Sequence, residues 1–498
     1  MEGDRAGRPG SGGDGIWAPA RRRLTVGLVL AVTLVAFEAL AVATVMPVVA
    51  RHLGDIRLYG WVFSAFMLSS LVGIVAGGSL ADRVPLTGPM VGGLAFFAVG
   101  LLIGGTATSM PVLVVGRAVQ GVGAGVVPSM AYVAISRGYP HGSRPRMFAV
   151  LSTAWVVPGL AGPAIAAGIA AAAGWRWVFL GLIPLVGVAG GVALVGLRSV
   201  PAGGERDRAA RPERPGPRAL AVAGVVTGAG GLLVSLTTGR PLVVVAGVIA
   251  GGGLLLACLR RLTPAGTLTA RPGLPATVAS RGLLTACFYA ADAYVPYAVT
   301  TVRHSPTLLT GLVLTAGTVT WTAGSWTQAR LIQRVGPRRL IRAGEILVVV
   351  AIAAMAGVLL PAVAPALAIP VWSVAGLGMG LAYAPLSIAT LDLAPAAEVG
   401  QATASLQLCD VLGTALGTGV AGALVAASVH GLHLGARSGV ALAYALGAAV
   451  GLAAITTGRH LPRRRAAGGD APAAAPAPPG NAGVRRGGAA LSQRAAEA

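Results

Sequence analysis

The chain has 498 residues, of which 55% are hydrophobic and only 11% charged, and its mean hydropathy is +0.76. A soluble domain carries about a quarter of its residues as charged groups, so this composition excludes a string of ordinary soluble domains and points to a polytopic membrane protein. The formal net charge is nonetheless +22, made by 38 basic residues, all arginine, against 16 acidic ones; glycine reaches 74 residues while aromatics are 5%, a make-up suited to closely packed membrane helices.

About 20 mostly apolar residues are needed for a helix to cross the hydrocarbon core, and fourteen such runs are predicted. Residues 1–23, rich in Gly, Pro and Arg, read as a disordered cytoplasmic N-terminus. Residues 24–197 hold six spans: Leu24 to Ala50, Gly60 to Leu80, Gly88 to Ala107, Pro111 to Ile135, Met147 to Ala173 and Trp177 to Leu197. The first is too long for a signal-peptide apolar region and is expected to be retained. A cytoplasmic linker, 198–218, leads to two short extra spans in 219–259, Ala219 to Thr238 and Leu242 to Leu259. A second linker, 260–282, precedes six more spans in 283–457: Leu283 to Thr301, Leu308 to Gln328, Leu340 to Leu360, Leu367 to Thr390, Ala402 to Ala427 and Gly439 to Thr457. Residues 458–498 read as a disordered cytoplasmic tail.

With the N-terminus inside, 31 of the 38 arginines fall on inner segments, six on outer ones, and one, Arg117, within a span. Cytoplasmic loops retain positive charge, so both termini are expected in the cytoplasm of a multi-pass plasma-membrane protein. The excess charge then needs anionic lipid headgroups as its partner, not nucleic acid.

The two sets of six resemble each other. Gly121-Val-Gly-Ala-Gly125 of span 4 recurs as Gly376-Leu-Gly-Met-Gly380 of span 12, Gly162 of span 5 has Gly417 of span 13 at the same offset, and Asp82-Arg83 after span 2 is echoed by the basic loop at Gln333-Arg334 after span 10. Internal repeats of this kind build alternating-access transporters.

Four motifs carry a family resemblance. They are Gly78-Ser-Leu-Ala-Asp82-Arg83 after span 2; Arg117-Ala-Val-Gln120-Gly121-Val-Gly123 in span 4; Gly159-Leu-Ala-Gly162-Pro163-Ala-Ile-Ala-Ala167 in span 5; and Glu38 nine residues before Pro47 in span 1. The chain resembles the major facilitator superfamily, and within it the fourteen-span drug:proton antiporters, from Leu24 to Thr457. It departs from the pattern where Val84-Pro85-Leu86-Thr87 lacks the usual glycine and distal basic residues, where Ala166-Ala167 replaces a glycine pair, and where glutamate stands for aspartate at 38. The resemblance implies an all-α fold of two six-helix bundles with two extra central spans. It also implies a cytoplasmic gating loop at Gly78, Asp82 and Arg83, and a flexing, tightly packed span 5 interface at Gly159, Gly162 and Pro163, with Gln120 and Gly121 packing in span 4.

Of the acidic residues, Glu38, Asp292 and Asp410 lie deep within spans. An ionisable group there faces a cavity, pairs or binds protons. Arg117, the lone arginine within a span by this reading, needs a carboxylate. Spans 1 and 4 both line the cavity in the resembled family, which makes Glu38 its expected partner; the alternative is that Arg117 bonds only to backbone carbonyls and Gln120. Asp292 sits among Phe288, Tyr289, Tyr294 and Tyr297, a carboxylate among aromatics suited to a lipophilic cation, with Trp321 and Trp326 on span 10 as companions. Asp410 is a second proton site or a packing partner for Gln407. Glu345, one turn into span 11, is expected to pair with Arg342 at the interface.

These features favour proton-coupled export of small amphipathic or cationic compounds by a monomer, with the proton as coupling ion and no cofactor. The alternatives are a dedicated exporter of an endogenous metabolite or lipid and, from another class, a polytopic enzyme or sensor. Catalytic clusters, a Walker motif and a soluble signalling domain are all missing from the sequence, so an enzyme is not expected. His430 and His433 share an outer loop with no acid or cysteine nearby, and no metal site is expected there.

Overall fold

The computed structural model describes residues 15–81, 83–140, 143–200, 216–395 and 398–461, and every regular element within them is a helix. In lipid, an apolar segment can satisfy its own backbone only by closing each N–H onto a carbonyl of the same segment.

Helices α1 (Pro19–Leu53), α2 (Tyr59–Ala81), α3 (Thr87–Gly105) and α4 (Met110–Gly138) coincide with spans 1 to 4. Span 5 is divided at Ala154 and Trp155 into α5 (Arg144–Thr153) and α6 (Val156–Ala172), and span 6 at Gly181 into α7 (Arg176–Leu180) and α8 (Leu182–Leu197). The extra pair is α9 (Pro217–Thr237) and α10 (Pro241–Leu262). The second set comprises α11 (Leu274–Asp292), α12 (Thr307–Val335), α13 (Pro337–Val358), α14 (Ala368–Leu393), α15 (Val399–Ala426) and α16 (Gly435–Thr457).

Eleven helices among the described residues are long and apolar enough to cross a membrane by length and composition. Span 5 falls outside that number because of its break, and spans 9 and 10 because their helices carry polar residues. In α11 these include Arg281 and Asp292; in α12 they include several threonines, some of whose hydroxyls donate to carbonyls one turn back, as in Thr318 to Leu314 (3.0 Å) and Thr327 to Ala323 (2.8 Å).

The repeat is visible in packing. A β-carbon on Gly121 or Gly125 would collide with the α2 carbonyls of Phe66 and Ser70, and one on Gly123 with the α3 carbonyl of Gly93. In the second set Gly376 and Gly380 meet the α12 carbonyls of Gly317 and Trp321, while Gly378 lies 2.6 Å from the α13 carbonyl of Gly344 by the same measure. Each glycine triplet therefore seats its helix between two neighbours, the outer pair against one and the middle residue against the other. Gly159 is equally tight against Thr318 of α12. Gly162 corrects the expectation of close packing: a β-carbon there would rest 3.6 Å from Phe37 and 3.8 Å from Leu40, ordinary van der Waals contact.

The two sets meet in the half of the protein remote from the start of α1. Gly60 of α2 is so close to Gly422 of α15 that a β-carbon would stand 2.9 Å from its Cα. Ser64 donates to the Ala415 carbonyl at 2.8 Å and exchanges a 3.1 Å hydrogen bond with Thr418, while Tyr59 donates to the Ala293 carbonyl at 3.1 Å. On the other seam Gly311 of α12 abuts the Pro163 carbonyl of α6. The extra helix α9 lies along the α2–α15 seam, with Leu233 against Gly419, and Ser405 of α15 donates to the last carbonyl of α10, Leu262, at 2.7 Å.

Candidate functional site

α1 and α4 cross inside the first set and bring Glu38 and Arg117 together. Arg117 Nη1 donates to Glu38 Oε1 and, at 2.7 Å, to Gln120 Oε1 one turn along its own helix; Nε donates to the Val62 carbonyl of α2 at 3.1 Å. The guanidinium lies 4.0 Å above the Phe66 ring. Glu38 and Gln120 are fully buried and Arg117 is 2% exposed. The expected pair with Glu38 is made, and the backbone carbonyl and Gln120 join it, so the alternative in which Arg117 bonds to these two alone does not hold. Glu38 Oε2 and Gln120 Nε2 have no partner among the described residues. A charge so deep is tolerated because the opposite charge and a polarisable ring face replace its water.

The second set has a different site. α11 ends at Asp292 because Pro296, lacking an N–H, leaves the carbonyl one turn earlier without its helical donor; a single turn at Val295–Tyr297 and a wide π-turn at Ala298–Val302 carry the chain onward. The break also frees the Ala293 carbonyl that Tyr59 takes from across the seam. Asp292 Oδ1 accepts a 3.2 Å hydrogen bond from Trp372 Nε1 of α14. Phe288 stacks on Trp372 at 5.3 Å between centroids and meets Trp321 and Tyr289 edge-on at 5.6 and 5.2 Å. Trp321 in turn meets Tyr383 at 5.5 Å. The expected group Phe288, Tyr289, Asp292 and Trp321 is gathered in one place, whereas Trp326 is 68% exposed on the outside of α12 and takes no part.

Asp410 does not bond to Gln407, which is exposed. Its Oδ1 accepts from Arg281 Nε at 2.9 Å and its Oδ2 from the Tyr383 hydroxyl at 2.8 Å; Arg281 Nη1 donates to the Tyr383 carbonyl at 2.6 Å, and its guanidinium lies 3.1 Å over the Tyr383 ring. The side chains are 6% and 20% exposed. Arg117 is therefore not the only arginine inside a helix: α11 starts nine residues before the apolar run that predicted it, and Arg281 lies about 10 Å along it at 1.5 Å per residue. Glu345 also departs from expectation. It is 1% exposed, and neither carboxylate oxygen has a hydrogen-bond partner among the described residues, Arg342 included.

Of the expected gating loop, Asp82 lies outside the described residues. Gly78 has open space around it, and Arg137 at the end of α4 donates to the Ala81 carbonyl at 2.9 Å, covering the end of α2 beside the motif. Three residues of the site escaped the sequence reading: Trp372, Tyr383 and Arg281. Two signals were available. Trp372 precedes Gly376 by the four residues that separate Arg117 from Gly121, and Pro275 marks a helix start seven residues inside the supposed linker end.

The chain is matched at residues 28–418 by the family model described as Major Facilitator Superfamily. It is 28% identical over 468 residues to a probable multidrug-efflux transporter of Mycobacterium tuberculosis, covering 89% of this chain and 96% of the relative. It is also 28% identical over 162 residues, 32% of each chain, to multidrug resistance protein 3 of Bacillus subtilis. Among solved structures, a bacterial homolog to the human lysosomal transporter Spinster, in an inward-facing and unoccupied conformation, has a similar fold. Its TM-score is 0.62 at 13% identity, over 89% of this chain and 98% of that one. Two bundles built as packed repeats, charges buried in their interior and a family match over most of its length lead to one assignment: the chain belongs to the major facilitator superfamily and is a multi-pass membrane transporter, not an enzyme.

Proposed function

We propose that the protein is a proton-coupled exporter of small amphipathic or cationic compounds, working as a monomer in the plasma membrane with both termini in the cytoplasm. On this reading the three helical segments too polar or broken to qualify by composition also cross, giving fourteen spans. The divisions at 24–197, 219–259 and 283–457 are then the first bundle, the extra pair and the second bundle.

The observation that carries the proposal is the fully buried Glu38 on Arg117, with its second oxygen unpartnered among the described residues. A carboxylate cannot keep the guanidinium at full strength once it takes a proton, so protonation loosens α1 from α4, and deprotonation draws them together. With the termini inside, the closed seams of Tyr59, Gly60 and Ser64 lie at the outer side. The site is then reached from the cytoplasm, where substrate enters. Opening the seams exposes Glu38 to external protons, and protonation followed by closure returns the proton inward in exchange. Asp292 among its aromatics supplies the substrate position, and Asp410, held by Arg281 and Tyr383, is a second group able to exchange a proton. The Mycobacterium and Bacillus relatives, whose names state multidrug efflux or resistance, support the direction of transport.

The test is accumulation of a panel of cationic and neutral compounds, such as ethidium, tetraphenylphosphonium and chloramphenicol, in cells with and without the protein. Cells carrying it should hold less of the cationic members, and a protonophore should erase the difference. Equal accumulation across the panel, or lowered accumulation that a protonophore leaves untouched, would refute the proposal.

A further inference from the structure

We infer that Trp372 makes the second bundle a receptor for a monovalent organic cation; the inference rests on the export reading above and names the substrate class of its Asp292 site. Gly121, Gly123 and Gly125 of α4 and Gly376, Gly378 and Gly380 of α14 make equivalent contacts with equivalent neighbours, which fixes the register of the two helices. In that register Trp372 holds the place of Arg117. Each reaches a carboxylate on the first helix of its own set, with a proline further along that stretch; α1 runs unbroken through its proline, whereas α11 ends ahead of its own. Arg117 meets Glu38, nine residues before Pro47, and Trp372 meets Asp292, four before Pro296.

The two donors differ in one respect that decides the chemistry. Arg117 brings a positive charge, so the first carboxylate is balanced inside the protein. The Trp372 indole brings a hydrogen bond and no charge, and Asp292 has no ion-pair partner among the described residues. Asp292, Tyr289 and Trp321 remain partly accessible, and Phe288 holds the Trp372 and Trp321 rings about the carboxylate. A negative charge beside several aromatic rings suits a cation whose charge is spread among apolar substituents, a tertiary or quaternary ammonium or a phosphonium. Cation–π attraction adds to the ion pair there, and a strongly hydrated metal ion would lose too much water. The cation the first bundle carries as Arg117 is, in the second, the cargo. Its arrival is felt at the seam, because the next carbonyl, Ala293, is the one Tyr59 grips from the other bundle.

The experiment is equilibrium binding of tetraphenylphosphonium to the purified full chain in lipid nanodiscs. Asp292→Asn should weaken binding by about tenfold or more, the loss of one ion pair of about 1.4 kcal/mol. Trp372→Phe should weaken it severalfold, and Trp372→Arg should abolish it by placing the protein's own guanidinium on Asp292. Trp326→Phe, on the lipid side, should bind as wild type does. Where Trp372→Arg fails to purify as a monodisperse species, Asp292→Asn and Trp372→Phe decide the matter. Wild-type affinity in Asp292→Asn, or in a folded Trp372→Arg, would overturn the inference while leaving export of cations standing. A wild-type protein that neither binds nor exports tetraphenylphosphonium would overturn the cation reading itself.

Discussion

Replacing Arg117 with alanine should abolish active export and lower the thermal stability of the purified protein more than any other single change in the site. The guanidinium is the only positive group on Glu38 among the described residues, and both lie out of reach of water. Removing one partner of a buried pair leaves the other charge uncompensated, at about 3–5 kcal/mol. The Nη1 bond to Gln120 and the Nε bond to the Val62 carbonyl disappear with it, loosening α4 from α2. The double variant Glu38→Gln with Arg117→Gln removes both charges, and its stability should recover most of the loss while export does not return, a coupling that a double-mutant cycle reads directly. Stability by fluorescence-detected size exclusion and export from loaded vesicles make the two measurements. An Arg117→Ala protein as stable and as active as wild type would show that the pair neither holds the bundle nor drives transport.

A leucine at Gly60 should stop the cycle by a different route. Its β-carbon alone would stand 2.9 Å from the Gly422 Cα and from the Thr418 carbonyl, and 3.0 Å from the Tyr294 hydroxyl. Two backbone atoms of α15 and a buried phenol leave nothing flexible to give way. Overpacking of this kind costs about 1–3 kcal/mol, all of it falling on the closed seam, so the closed state should lose about five- to 150-fold in population relative to the open one. Export should fall accordingly while the protein remains folded. Distances between spin labels at positions 57 and 434 should lengthen in Gly60→Leu. Unchanged distances and wild-type export would mean that the α2–α15 contact is not a moving seam.

The sequence was most informative where one physical demand fixes one residue type. Backbone close approach admits only glycine, so the triplets at Gly121 and Gly376 announced both the repeat and the packing of α4 and α14. A charge in the membrane demands a partner, and the family resemblance, which places spans 1 and 4 on one cavity, pointed Arg117 to Glu38. Residues chosen by tertiary context were harder to read. Gly162 has the look of its motif but not the close contact, since α6 at that level lies against the side chains of Phe37 and Leu40, not against a backbone. Arg281 was assigned to a linker because hydropathy marks where apolar residues begin, whereas the helix begins at the Pro275 turn and carries its arginine inward to Asp410. Glu345 next to Arg342 suggested an ion pair by spacing, yet the helix buries the acid and leaves the pair unmade. Trp372 has no charge or motif to draw attention, and its role emerges only through the hydrogen bond to Asp292.

The central claim, that Glu38 carries the exchanged proton, is tested most directly by proton flux in lightly buffered proteoliposomes driven by a tetraphenylphosphonium gradient. The wild-type protein should move protons against the cation, and Glu38→Gln should move none while still exchanging labelled for unlabelled tetraphenylphosphonium across the membrane. Proton movement by Glu38→Gln at the wild-type rate would contradict the account.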